Sequence, residues 1–176
     1  MAKIPTRTKR IIRVGIATKE QLSSWSEGAS LVSAFGVSID ELKRKAVCER
    51  WKLALEHRKE AKRLLTCTSP PFRAIVSRWY YVMYHSMRAA CYLYHSGDDY
   101  EAHSTLPLNL PKDLPNLSTW RNTMKQARLD RNAADYDPYP KSMPYWRGVA
   151  STIEVDAKAA VAELRSYLRG KGCRIK

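Results

Sequence analysis

Apolar residues recur three and four positions apart in four long stretches of this chain, and no stretch alternates apolar with polar residues. Spacings of three and four put side chains on one face of a helix, whereas a half-buried strand needs a period of two. That pattern restricts the chain to an all-α fold. The clearest stretch follows "TSPPF": Val76, Trp79, Met83, Met87, Ala90 and Tyr94 form one stripe, which "SGDD" ends near His95. Ser69 is expected to cap this helix, with Pro70 at its first position. Before it, a capping box of Ser38 and Glu41 opens a helix over 39–65, with Val47, Trp51, Ala54, Ala61 and Leu65 on one stripe. After it, Pro107, Pro111 and Pro115 exclude a long helix from 96–116. A third stripe, Leu117, Trp120, Met124 and Ala127, predicts a helix from Leu117 to about Ala134, broken by Asp137-Pro138 and Pro140. The last, on Val149, Ile153, Ala157, Ala160, Leu164 and Leu168, spans about Pro144 to Arg169, with Gly170 closing it. The expected architecture is an antiparallel, up-and-down bundle of four helices over residues 38–170. A basic N-terminal extension, 1–37, precedes it and a short basic tail, 171–176, follows. Within the extension, Thr18 and Gln21 would cap a short helix reaching about Ala34.

Charge narrows the choice of partner. Lys and Arg outnumber Asp and Glu by 31 to 17, a net charge of +14. Such an excess points to an anionic partner, nucleic acid before an acidic protein or a membrane surface. Residues 1–17 carry Lys3, Arg7, Lys9, Arg10 and Arg13 with no acid, which reads as a basic arm that orders on contact with a partner. No apolar run approaches the ~20 residues of a membrane-spanning helix. The first residues also lack the apolar core of ~7–15 residues that a signal peptide needs. The four cysteines, Cys48, Cys67, Cys91 and Cys173, contain no C-x-x-C pair. Neither zinc nor a disulfide framework is expected, and a reducing cytoplasm is the matching compartment. With no phosphate-cradling glycine loop, no G-x-S-x-G and no H-E-x-x-H, neither a cofactor nor a bound metal is expected.

Two features carry candidate chemistry. The second long helix has a polar stripe beside its apolar one: Arg78, Tyr81, His85, Arg88 and Tyr92, spaced three, four, three and four apart. Arginines hold phosphate, histidine moves protons near neutral pH, and tyrosines stack or donate. A solvated helix face with one surface histidine is the plain alternative. The other feature is Arg131, which takes the next position of the core stripe after Ala127. A guanidinium keeps its charge, so it must reach water or a dedicated partner, and Asp135 or Asp137 could serve. Of the remaining histidines, His57 lies on a charged helix and is expected to face solvent. His95 sits at a helix C-terminus, where a cation is favoured. His103 belongs to the irregular connection, where functional residues concentrate.

"SRWYYVMYHSMRAACYLY" resembles the second helix of HEPN domains, "AHSTL" is similar to the His-Ser of their connecting loop, and "RNAADYDPY" resembles the R-x-x-A-D-Y that ends the third helix in one large branch. Order and spacing agree from about Ser38 to Arg169. The resemblance implies a helical bundle that dimerises. Many such proteins are metal-independent endoribonucleases, acting as toxins in toxin–antitoxin pairs or as antiviral effectors. Their cleavage uses the substrate's own 2′-hydroxyl as nucleophile, and an Arg and a His of each subunit meet at the dimer cleft. Arg131 would then bind the scissile phosphate of RNA within that cleft, oriented by Asp135, with Tyr136, His85 and His103 beside it. Arg78, Tyr81 and Arg88, with Lys9, Arg10 and Arg13 of the arm, would hold the RNA. The chain also departs from the family. Its nuclease motif is an arginine followed a few residues later by a histidine, whereas here Tyr136 follows Arg131 and the last histidine is His103. Either His85 or His103 supplies the proton transfer, or the protein binds RNA or a nucleotide without cutting. In some toxin pairs of the family a nucleotidyltransferase antitoxin adenylylates a tyrosine just past the motif, which would make Tyr136 or Tyr139 the site by position. A third possibility is a structural helical protein whose basic arm docks on nucleic acid.

Overall fold

A computed structural model describes residues 18–97, 99–139 and 141–175. The arm with Lys9, Arg10 and Arg13 lies outside the described residues. All regular structure among them is helical, in the order α1 (Lys19–Phe35), α2 (Ile39–Leu65), α3 (Phe72–Tyr94), a 3-10 turn at Leu106–Leu108, α4 (Leu117–Tyr136) and α5 (Met143–Gly170). The chain divides into two units after Leu42, within the first turn of α2.

Local signals set most helix ends. Thr18 and Gln21 form the expected capping box of α1: the Thr18 hydroxyl accepts from the Gln21 N–H at 3.3 Å, and the Gln21 side chain accepts from the Thr18 N–H at 2.9 Å. The Ser38 hydroxyl likewise accepts from the Glu41 N–H, at 3.2 Å, where α2 begins. At α3 the expectation fails, because the helix starts at Phe72 behind Pro71 with no side-chain cap, so Ser69 does not cap it. The physical cause is the proline pair: a residue before proline is driven out of the helical region, so Pro70 cannot begin a helix ahead of Pro71. α4 runs on to Tyr136, two residues beyond the expected end, and stops at Asp137, which is extended as the residue before a proline must be. The glycine that closes α5 is Gly172 rather than Gly170. With Gly172 at φ +83°, the Gly172 N–H bonds the Arg169 carbonyl at 2.9 Å and the Cys173 N–H bonds the Leu168 carbonyl at 3.0 Å. These paired bonds are a Schellman closure, and they turn the tail back so that Cys173 and Ile175 are buried.

The second unit is built around α3, which packs along α5 and α4 and is buried on nearly every side from Phe72 to Cys91. Trp51, Trp79, Tyr80, Met83, Met87, Met124, Leu164 and Leu168 are among its largest fully buried side chains. The proline-rich connection adds Leu106, Leu110 and Leu114 to the same core. The backbones of α2 and α3, by contrast, make almost no close approach. Rings bridge the gap between them, and those rings form the candidate site.

Candidate functional site

The polar stripe of α3 does not face solvent. Its spacing turns Tyr81, His85 and Arg88 toward α2 and toward the connection at 99–105, and His85 is only 9% exposed. His57, expected in solvent, reaches across from α2 instead. Its ring lies parallel to that of His85, within 1° at 5.2 Å between centres, and stacks on Tyr81 at 5.2 Å. Arg50 and Glu60 lie on the same face of α2, but Arg50 is taken by Asp99 and Glu60 by Arg78, so they hold the rim while the imidazole stacks on the α3 rings. Arg78 anchors this edge, 3.3 Å from His57 Nδ1 and 3.2 Å from a Glu60 carboxylate oxygen.

The connection supplies the third histidine. His103 stacks on Tyr84 at 4.3 Å, and its Nδ1 shares a 2.7 Å hydrogen bond with the Tyr80 hydroxyl. Tyr84 donates in turn to the Glu101 carbonyl. Below this layer, the Asp99 carboxylate joins three segments, taking Arg88 at 2.7 Å and Arg50 at 2.9 Å. Sequence reasoning missed Tyr80, Tyr84, His57 and Asp99. A signal for the tyrosines existed in "WYYVMYHSM", whose lack of charge marks a helix buried all round rather than along one stripe.

Arg131 closes the site from α4. Its Nη2 donates to the Tyr81 hydroxyl at 2.8 Å, and its Nε lies 2.8 Å from an Asp135 carboxylate oxygen. The guanidinium sits 5.5 Å from the Tyr81 ring centre and 5.1 Å from that of Tyr136. Asp135 also accepts from the Ser77 hydroxyl, so its position is fixed from α3. The break in the apolar stripe is therefore filled by an arginine whose side chain is 14% exposed, turned to the edge of the histidine cluster. Asp137 is not its partner; the Asp137 carboxylate takes the Tyr139 N–H and its carbonyl takes Arg73. Tyr136 and Tyr139 stand out in solvent, 68% and 82% exposed. Thus Arg131, Asp135, Tyr136, Tyr81, His85, His103, Arg78 and Arg88 do come together, while His95 is drawn away to the Asn109 carbonyl.

Electrostatics keep the three imidazoles uncharged near neutral pH. Burial, then His57 and Arg88, pushes His85 down to about 4. Burial and Arg78 lower His57, and burial with Arg131, Arg88 and Arg128 lowers His103. Burial raises Tyr80 and Tyr84, so both phenols keep their protons. Such a site holds fixed cations beside neutral rings: the arginines attract an anion, the imidazoles accept a proton or hydrogen bond, and the phenols donate. No group of three His, Cys, Asp or Glu side chains among the described residues converges as metal ligands do.

One stability consequence follows directly. Because folded His85 titrates near 4 rather than 6.5, the unfolded chain takes up that proton first on acidification. Its contribution is complete above pH 6.5 and disappears as the pH falls toward 4. At ~1.4 kcal/mol per pH unit, His85 alone accounts for roughly 3 kcal/mol across that window. Urea unfolding from pH 7 to pH 4 should show this loss, and His85→Gln should flatten it. A wild-type curve already flat there would mean that His85 is not buried as a neutral ring.

No family model, curated protein or solved structure matches this chain.

Proposed function

We propose that the chain is a HEPN-type protein that acts on RNA: a metal-independent endoribonuclease of a toxin–antitoxin or antiviral defence system. In this reading α2–α5 form the antiparallel up-and-down bundle, two copies pair in the cytoplasm, and the site opens on the cleft between them. The observation that carries the reading is Arg131, a guanidinium held by Tyr81 and Asp135 at the rim of a cluster of neutral histidines and protonated tyrosines. The 2′-hydroxyl of one nucleotide attacks the adjoining phosphorus while its proton passes to an imidazole. Arg131 neutralises the charge that builds on the phosphorane, and the 5′-oxygen leaves with a proton relayed through water, which the imidazolium then replaces. His103 is the less buried candidate for that proton transfer, while His85 is buried and stacked on His57. Tyr136 overhangs the same guanidinium and can donate to a phosphate oxygen.

Cleavage by this route persists in EDTA, yields 2′,3′-cyclic phosphate or 3′-phosphate ends, and spares a substrate that is 2′-deoxy at the cut. Magnesium-dependent cutting of the deoxy substrate would point to a different nuclease class. A second reading, a non-catalytic HEPN module that binds RNA, a nucleotide or a nucleotidyltransferase partner, is favoured by one observation. His85, at about 4, is a weak base, and Tyr136 occupies the stretch after Arg131 where a histidine belongs. RNA binding by the wild type without any cleavage product would select it.

A further inference from the structure

We infer that Arg128 is a second phosphate-binding residue, holding the nucleic-acid strand beside the phosphate that Arg131 takes. This rests on the nucleic-acid reading above, though not on cleavage. Arg128 lies three residues before Arg131 on α4, so the two share a face one helical turn apart, ~5 Å along the axis. Five arginines bear on the tyrosine–histidine cluster. Four of them are committed within the chain: Arg50 and Arg88 to Asp99, Arg78 to Glu60, and Arg131 to Asp135. Arg128 has no ion-pair or hydrogen-bond partner among the described residues.

Its surroundings make that isolation costly. Arg128 is half-buried, and its Nε is shielded from solvent without an acceptor. A buried N–H on a charged group loses hydration that nothing in the fold replaces. The two terminal nitrogens are not shielded in that way, and a phosphodiester can take them, because the guanidinium edge matches two oxygens of one phosphate. The neighbouring groups suit the same anion. The Arg128 charge is felt at both His103 and Tyr80, which are uncharged and so offer no repulsion to a phosphate. Two guanidiniums on successive turns can meet neighbouring phosphates of one strand, which gives the strand a direction across the site.

The test uses the full chain and an eight-residue deoxythymidine oligomer, which cannot be cut through a 2′-hydroxyl. Its binding is followed by fluorescence anisotropy across a series of KCl concentrations. Arg128→Ala should reduce the magnitude of the log–log salt slope by about 0.7, one phosphate on a single strand. Arg128→Lys should keep the slope while recovering only part of the affinity. Arg128→Gln retains the stem and replaces the alanine variant should that one fail to fold. An unchanged slope in the alanine or glutamine variant overturns the inference, as does a wild type that does not bind the oligomer. The two readings separate cleanly. A shortened slope with RNA left uncut keeps this inference and removes the nuclease; RNA cut with the slope unchanged does the reverse.

Discussion

On the nuclease reading proposed above, Arg131→Ala is expected to lower the rate of RNA cleavage ~100-fold or more while leaving the protein folded. A preorganised donor aimed at developing charge is worth ~10²–10³ in rate, because it acts where the transition state differs from the substrate. The fold depends on Arg131 much less. Its ion pair with Asp135 is open to water on the carboxylate side, 28% exposed, so losing it costs ~1–3 kcal/mol, less than the stability of a domain this size. Asp135 also keeps its hydrogen bond from Ser77 in the variant. Arg131→Lys should restore little, since one ammonium cannot reach Tyr81 and Asp135 and still present a planar fork to phosphate. Single-turnover cleavage and the urea midpoint, measured on the same preparations, decide the matter. If Arg131→Ala collapses the fold and the wild type never cuts, Arg131 is a structural ion-pair partner and the binding-module reading replaces the nuclease.

Asp99→Ala should cost about 3 kcal/mol of stability, near the lower end for breaking a buried ion pair. Asp99 is 9% exposed, and its carboxylate is shared by Arg50 of α2 and Arg88 of α3. Burial alone would raise its pKa, but hydrogen bonds from the two arginines outweigh that and hold it low. Removing it leaves Arg50 facing Arg88 against the Tyr92 and Tyr84 rings, with only the exposed Glu101, 3.5 Å from Arg88, to offset the two charges. Arg50→Ala should be milder, because Arg88 keeps the carboxylate engaged and Arg50 is the more exposed of the two. Thermal unfolding of the two single variants and the double variant tests this. If Asp99→Ala and Arg50→Ala cost the same, Asp99 is not the shared anchor described above.

Much of this site could be foreseen from spacing, and the rest could not for a definite reason. Arg131 stands out because a charge interrupts an apolar stripe; the sequence offers Asp135 or Asp137 as its partner, and the structure selects Asp135, one helical turn away. Both are properties of a single helix. His57 and Asp99 belong to the site only because of which face of α2 meets which face of α3, and no local pattern encodes that choice. The charged neighbours of His57 point it to solvent, yet two of them, Arg50 and Glu60, are themselves drawn inward by Asp99 and Arg78. Helix ends divide in the same way. Thr18 and Ser38 act as caps because their hydrogen bonds close over three residues, whereas Gly170 and Gly172 differ in role through backbone geometry that "GKG" leaves open.

The separation of the α2 and α3 backbones bears on how long the site stays assembled. α2 buries four of its 27 residues, against 15 of 23 in α3, so it is the segment that opens at the smaller free-energy cost. Such an opening parts His57 from His85 while α3, α4 and α5 stay packed. Amide protons of α2 then exchange with deuterated solvent ahead of those of α3. The lifetime of the competent arrangement is that of one helix resting on its neighbour, shorter than the lifetime of the folded chain.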